Sequence, residues 1–197
     1  MKKHWTNPGN VSLGNVSTTS ETAFQRAIFF LLSSHLEGVG DVKWLDLELP
    51  VDKERKGRGH CIDLIGRAED KSMVICELKF GMPGNGDPNE AKKQLLEYYE
   101  AVKANYEKLD EGDSLHHLNA LKNGHFYWEE IASASTKLVI AANDDYWAYW
   151  RRRGILPPDG VDCYKLNVPT KFFKELKAES KEQKYRPVIS VRDWFLV

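Results

Sequence analysis

Cysteine is scarce in this chain, and the few present exclude two architectures. Cys61, Cys76 and Cys163 are odd in number and none lies close to another, so they build neither a disulfide framework nor a zinc ribbon. Long hydrophobic runs are missing as well. No stretch reaches the roughly eighteen apolar residues of a membrane span. The opening MKKHWTNPGN carries two lysines but no apolar segment behind them, so no secretory signal is expected and a reducing cytoplasmic setting is. His116, His117 and His125 have no partners at metal-ligand spacing, while His60 opens a strand-like segment and is a neighbour of the candidate site. Excess charge of either sign is also lacking. A net charge of -1 gives no global attraction to nucleic acid, so phosphate binding needs local patches. Two basic clusters qualify: Lys53, Arg55, Lys56 and Arg58, and the run Arg151, Arg152 and Arg153.

What remains is an ordinary globular composition, with 42% apolar and 29% charged residues in 197, enough for one domain with a sizeable core. Residues 1–19, rich in Asn, Gly, Ser and Thr, read as a flexible leader. Residues 20–197 read as a single domain, a core over 20–154 with a C-terminal extension over 155–197. A helix is expected from about Ser20 to Leu36, on the stripe Phe24, Ala27, Ile28, Leu31 and Leu32, with Gly38 and Gly40 ending it. Strands follow over about 43–50, 60–67 and 72–80. The segment GMPGNGDPN at 81–89 is a loop. The clearest helix runs from about Asn89 to Leu109 with Leu95, Tyr98, Tyr99, Val102 and Tyr106 on its apolar stripe. One or two short helices are expected within 112–135, a buried strand over Lys137–Ala142 and a short helix over Asp144–Arg153. Beyond them come a strand over Asp162–Leu166, a helix over Thr170–Glu179 and an edge strand over Val188–Val191. The fold class is therefore α/β, a mixed central sheet flanked by helices in a sandwich.

The second and third strands carry the most chemistry. A three-residue hairpin loop at 69–71 pairs Ala68 with Ser72, and the same antiparallel register brings Asp63 directly opposite Glu77 on one face. Lys79 shares that face, opposite Cys61, while Ile62, Leu64, Cys76 and Leu78 point the other way. Opposed carboxylates need compensation, from a bound cation, a raised pKa, or Lys79 itself. Hard oxygen ligands suit magnesium or manganese. The competing reading is a salt-bridged polar face open to water.

This pattern resembles the PD-(D/E)xK, or restriction-endonuclease-like, nuclease superfamily over about residues 20–143. Asp63 stands where the family's first acid lies, and Glu77-Leu78-Lys79 matches the (D/E)xK triplet, although Ile62 replaces the proline. Gln94-Leu95-Leu96-Glu97-Tyr98 resembles the Q-x-x-x-Y signature of the RecB-like branch. The resemblance implies a helix, three strands, a helix and a fourth strand. It implies Mg²⁺ (or Mn²⁺) held by Asp63, Glu77 and the backbone carbonyl of Leu78, with Lys79 orienting or deprotonating a water. Gln94 and Tyr98 would lie beside the site. A helix-one glutamate completes many such sites, and Glu21 is the candidate, with Glu37 a distant third possibility after the capping role of Glu21. Thr18 to Glu21 also fits a capping box. The expected partner is nucleic acid, DNA first, contacted by Lys53, Arg55, Lys56, Arg58, Arg151 and Arg152, with a homodimer left open. Tyr146, Trp147, Tyr149 and Trp150 leave two readings open, an aromatic stacking platform beside phosphate contacts or a core-facing helix. Two functional alternatives also stand: an inactive nucleic-acid-binding or assembly module of the same fold, and an RNA-cleaving effector.

Overall fold

A computed structural model describes residues 21–30, 33–51, 61–81, 86–111, 126–166 and 189–190. Within them run α1 (Glu21–Phe30), β1 (Ser33–Leu36), β2 (Gly40–Pro50), β3 (Cys61–Ala68), β4 (Met73–Lys79) and α2 (Pro88–Glu111). They are followed by α3 (Trp128–Ala132), β5 (Lys137–Ala142), α4 (Asp144–Arg151), β6 (Asp162–Lys165) and β7 (Ile189–Ser190). The seven strands form one sheet in chain order. β1 to β4 are mutually antiparallel, β4, β5 and β6 are parallel, and β7 returns antiparallel beside β6. The architecture is α/β with a mixed sheet and flanking helices.

The first helix is shorter than its periodicity implies. Ser33–Leu36 is not its last turn but an edge strand, paired from Ser33 with Lys43 to Leu36 with Gly40. Gly38 and Gly40, at φ 79° and 91°, supply the left-handed backbone of the intervening turn. The glycines therefore close a hairpin instead of ending a helix. At the other end, β7 is the expected edge strand, two residues long. The expected helix over Thr170–Glu179, the leader 1–19, and residues 112–125 lie outside the described residues.

The hairpin between β3 and β4 forms as its loop length predicts. The Ala68 amide donates to the Ser72 carbonyl at 2.9 Å, Lys71 takes a left-handed φ of 70°, and Asp70 accepts from the Ser72 amide at 3.0 Å. The register continues through Arg67 with Met73, Gly66 with Val74, Ile65 with Ile75 and Leu64 with Cys76. The β3–β4 ladder stops there, one residue short of Asp63.

Two cores flank the sheet. One gathers Phe24, Ile28 and Phe29 of α1 with Leu36, Val42, Leu47, Leu64, Val74, Cys76, Leu78, Val139 and Tyr164. Each of the three α1 side chains contributes about 1.5–3 kcal/mol of burial. The sheet is barrel-like rather than one layer of a flat sandwich. It curls around α1 until the Tyr164 hydroxyl on β6 donates to the Glu37 carbonyl in the β1–β2 turn, at 2.8 Å. The other core holds Ala91, Leu95, Tyr98 and Val102 of α2, Trp128 and Ile131 of α3, and Tyr146 and Trp147 of α4. Ile62 belongs to this second core, not with Leu64, Cys76 and Leu78. The cause lies on the neighbouring strand. Glu48 has a left-handed φ of 50°, so Leu47 and Leu49, which would share a face in a regular strand, enter different cores and their partners Leu64 and Ile62 follow.

Candidate active site

β4 is buried along its whole length. Val74, Cys76 and Leu78 fill the α1 core, while Met73 and Ile75 fill the α2 core, so alternation sends Glu77 and Lys79 toward α2. Glu77 is only 2% exposed and Lys79 8%, which rules out a polar face open to water. Lys79 Nζ donates to Glu77 Oε1 at 2.6 Å and reaches Gln94 Oε1 at 3.5 Å. Gln94 Nε2 in turn donates to the Tyr98 hydroxyl one helical turn on. The sequence pairs Glu77–Lys79 and Gln94–Tyr98 thus form one continuous network, from mid-sheet to α2.

α2 presents Gln94 there because its start is fixed. Asp87 accepts the Asn89 and Glu90 amides at 2.7 and 2.9 Å, Glu90 accepts the Asp87 amide at 3.2 Å, and Pro88 holds the first helical position. The backbone just after β4 is fixed from α4. Asn143 caps that helix and accepts the Gly81 amide at 2.9 Å.

Asp63 completes the cluster from β3, by a route other than the ideal pairing. Where the ladder ends, its Oδ2 accepts the Leu78 amide at 2.7 Å. Leu78 thus meets Asp63 through its N–H, a contact separate from the expected role of its carbonyl as a ligand. From α1, Glu21 Oε2 accepts the Phe80 amide at 3.2 Å, and Gln25 donates to the Asp63 carbonyl at 2.8 Å. Thr18, the other half of the expected capping box, lies outside the described residues. Glu37 has an exposed side chain in the β1–β2 turn, and its carbonyl accepts the Tyr164 hydroxyl.

Burial dominates the electrostatics. It pushes Glu77 up to about 7, against the charge and hydrogen bond of Lys79. Burial and then the Glu77 charge push Asp63 well above the carboxylate range. Glu21 is raised by burial, with Lys79 and the Phe80 amide opposing. For Lys79, burial disfavours the ammonium, but Glu77 and, more weakly, Asp63 and Glu21 outweigh it and the pKa rises. The ammonium form of Lys79 is therefore favoured by its acidic neighbours. Burial also lifts the Tyr98 hydroxyl up to about 12, so it stays protonated at neutral pH.

Glu77 Oε2 is buried with no donor from Lys79, and the Asp63 carboxyl lies within hydrogen-bonding reach of Glu77. Two raised carboxyls side by side are the ligand chemistry a hard divalent cation satisfies. No group of three or more His, Cys, Asp or Glu side chains that could hold a metal is gathered among the described residues. The set that fits is narrower, two carboxylates with backbone and water oxygen, and Glu21 within electrostatic reach.

Of the expected nucleic-acid contacts, Arg151 and Arg152 are exposed at the far end of α4 from Asn143. Lys53, Arg55, Lys56, Arg58 and His60 lie outside the described residues. Tyr146 and Trp147 are core residues, which settles that half of the aromatic run. Tyr149 has Arg153 over its ring at 3.5 Å. Gln25 and Asn143 are the site-building residues the sequence reading passed over. Gln25 had one signal, its place four residues after Glu21. No helix among the described residues is long and apolar enough to cross a membrane. Comparison with known family descriptions, curated proteins and solved structures finds no match to this chain.

Proposed function

We propose that this chain is a divalent-metal-dependent nuclease of restriction-endonuclease-like fold that hydrolyses phosphodiester bonds, with DNA as its substrate. One observation carries the reading. Glu77 and Lys79, two residues apart on a buried strand, meet at 2.6 Å, with Gln94 within reach of Lys79 and the Asp63 carboxyl within hydrogen-bonding reach of Glu77. A core strand that served folding alone would carry apolar residues at both positions. Asp63 and Glu77 would hold Mg²⁺ or Mn²⁺, with the Leu78 backbone beside them and Glu21 nearby. When bound, the ion supplies Lewis acidity and a water of lowered pKa.

The chain's own residues do the rest. The Lys79 ammonium, held protonated by its acidic neighbours, stabilises charge growing on the phosphate oxygens. Glu77 fixes that ammonium in place. Gln94 links Lys79 to Tyr98 and orients it from the helix side.

The test is hydrolysis of single-stranded, duplex and branched DNA, with an RNA arm, by full-length protein in Mg²⁺ or Mn²⁺. Cleavage that chelator abolishes and that Glu77→Gln and Lys79→Met eliminate is the expected result. Intact DNA in every arm overturns the reading, and cleavage confined to RNA reassigns the substrate. The assembly-module alternative draws on the Glu77–Lys79 ion pair, which neutralises itself without a metal. Calorimetry showing no divalent-ion binding decides for that alternative.

A further inference from the structure

Gln25 is a polar residue in an apolar place. It lies on α1 among Phe24, Ile28 and Phe29, which fill the core inside the curled sheet, and it is only 4% exposed. Burying a carboxamide is unfavourable unless hydrogen bonds compensate. Both of its donor contacts go to one residue. Gln25 Nε2 lies 2.8 Å from the Asp63 carbonyl and 3.4 Å from Asp63 Oδ1.

Asp63 needs such a partner. It follows the last β3–β4 pair, Leu64 with Cys76, and lies between Ile62 and Leu64, which face different cores. The regular ladder does not set its orientation. The Leu78 amide takes Oδ2 at 2.7 Å, and Gln25 takes the other side, its carbonyl and Oδ1 together. The carboxylate is thereby clamped between a backbone donor and a side-chain donor. One turn earlier on the same helix face, Glu21 binds the Phe80 amide just past Lys79, so α1 spans the site with two polar residues four apart.

We propose that Gln25 is a positioning residue, whose carboxamide holds Asp63 in the orientation in which it and Glu77 take a divalent cation. The inference rests on the metal-dependent reading above. Donors to a ligating carboxylate fix its lone pairs, and their loss typically costs ten- to a hundredfold in metal affinity.

Manganese alone is the probe, titrated by calorimetry into the full chain, wild type and the variants Gln25→Met and Gln25→Glu. Methionine keeps the length and loses the donor, whereas glutamate keeps the shape and turns a donor into an acceptor. Both variants should bind Mn²⁺ about tenfold or more weakly. Their KM for DNA should stay at the wild-type value, and cleavage should recover as Mn²⁺ is raised. A purely structural glutamine would lower the thermal midpoint and leave the Mn²⁺ affinity of the folded protein alone. Wild-type affinity in either folded variant overturns the proposal while the metal site stands. Wild-type protein that binds no Mn²⁺ overturns the metal reading itself, and the role of Gln25 with it.

Discussion

The amide of Leu78 donates to the carboxylate of Asp63 at 2.7 Å, so the two strands of the central hairpin are joined by a side chain where their backbone ladder has ended. The bond favours ionised Asp63, yet burial and the Glu77 charge oppose it more strongly, and the carboxyl titrates well above its usual range. Without metal, a neutral isostere should suit this buried position better than the acid. Asp63→Asn is expected to hold or raise the thermal midpoint at pH 7.5 while abolishing Mn²⁺ binding and cleavage. A midpoint several degrees lower would show that the charge, not the shape, secures the strand junction.

The raised Glu77 pKa sets a pH dependence. From its ordinary 4.5 the group moves to about 7 in the folded chain, so between those values the native state holds a proton that the unfolded state has released. The stability from protonated Glu77 is complete below about pH 4.5 and is lost as pH rises through about 7. Cation binding demands the opposite protonation state. Mn²⁺ should therefore raise the thermal midpoint more at pH 8 than at pH 5.5. Glu77→Gln should flatten the metal-free pH slope relative to wild type. Equal Mn²⁺ increments at both pH values would contradict this linkage.

Tyr146 is 1% exposed, and its hydroxyl has no hydrogen-bond partner among the described residues. Burial, and next the Asp87 charge, push its pKa up, so the group remains a neutral, unsatisfied phenol. Removing an orphaned buried hydroxyl while keeping the ring should be neutral or stabilising, up to about 1 kcal/mol. Tyr146→Phe measured by urea denaturation decides it; a loss of more than 1 kcal/mol would mean the hydroxyl has a partner.

Gly66 on β3 leaves no room for a side chain. A Cβ there would stand 2.5 Å from Val42 Cγ1 and 2.8 Å from Trp44 Cε3, with the Lys43 carbonyl at 3.1 Å. Trp44 is itself tied by its indole N–H to Ser34 at 2.8 Å and cannot move freely. Gly66→Ala should cost roughly 1–3 kcal/mol by overpacking. An unchanged urea midpoint would show that β2 yields there.

The features legible in the sequence were those set locally. The 69–71 loop length determined the register that puts Asp63 at the level of Glu77, and period-two alternation put Glu77 and Lys79 together. The i, i+4 spacing joined Gln94 to Tyr98. Non-local causes stayed hidden. Leu31, Leu32 and Leu36 continue a helical stripe, and only pairing with Gly40–Lys43 turns Ser33–Leu36 into a strand. Ile62 changes sides because Glu48, on another strand, takes a left-handed conformation that a glutamate does not advertise. Beyond its place four residues after Glu21, the sequence does not mark Gln25, since its value depends on the place where β3 leaves its partner.

The hydroxyl of Tyr164 resting on the Glu37 carbonyl has a consequence for how the first helix is held. The helix bearing Glu21 and Gln25 precedes β6 by more than a hundred residues, yet β6 supplies part of the wall that encloses it. A nick that frees β6 should therefore open one flank of that helix and loosen it before it disturbs the hairpin carrying Glu77.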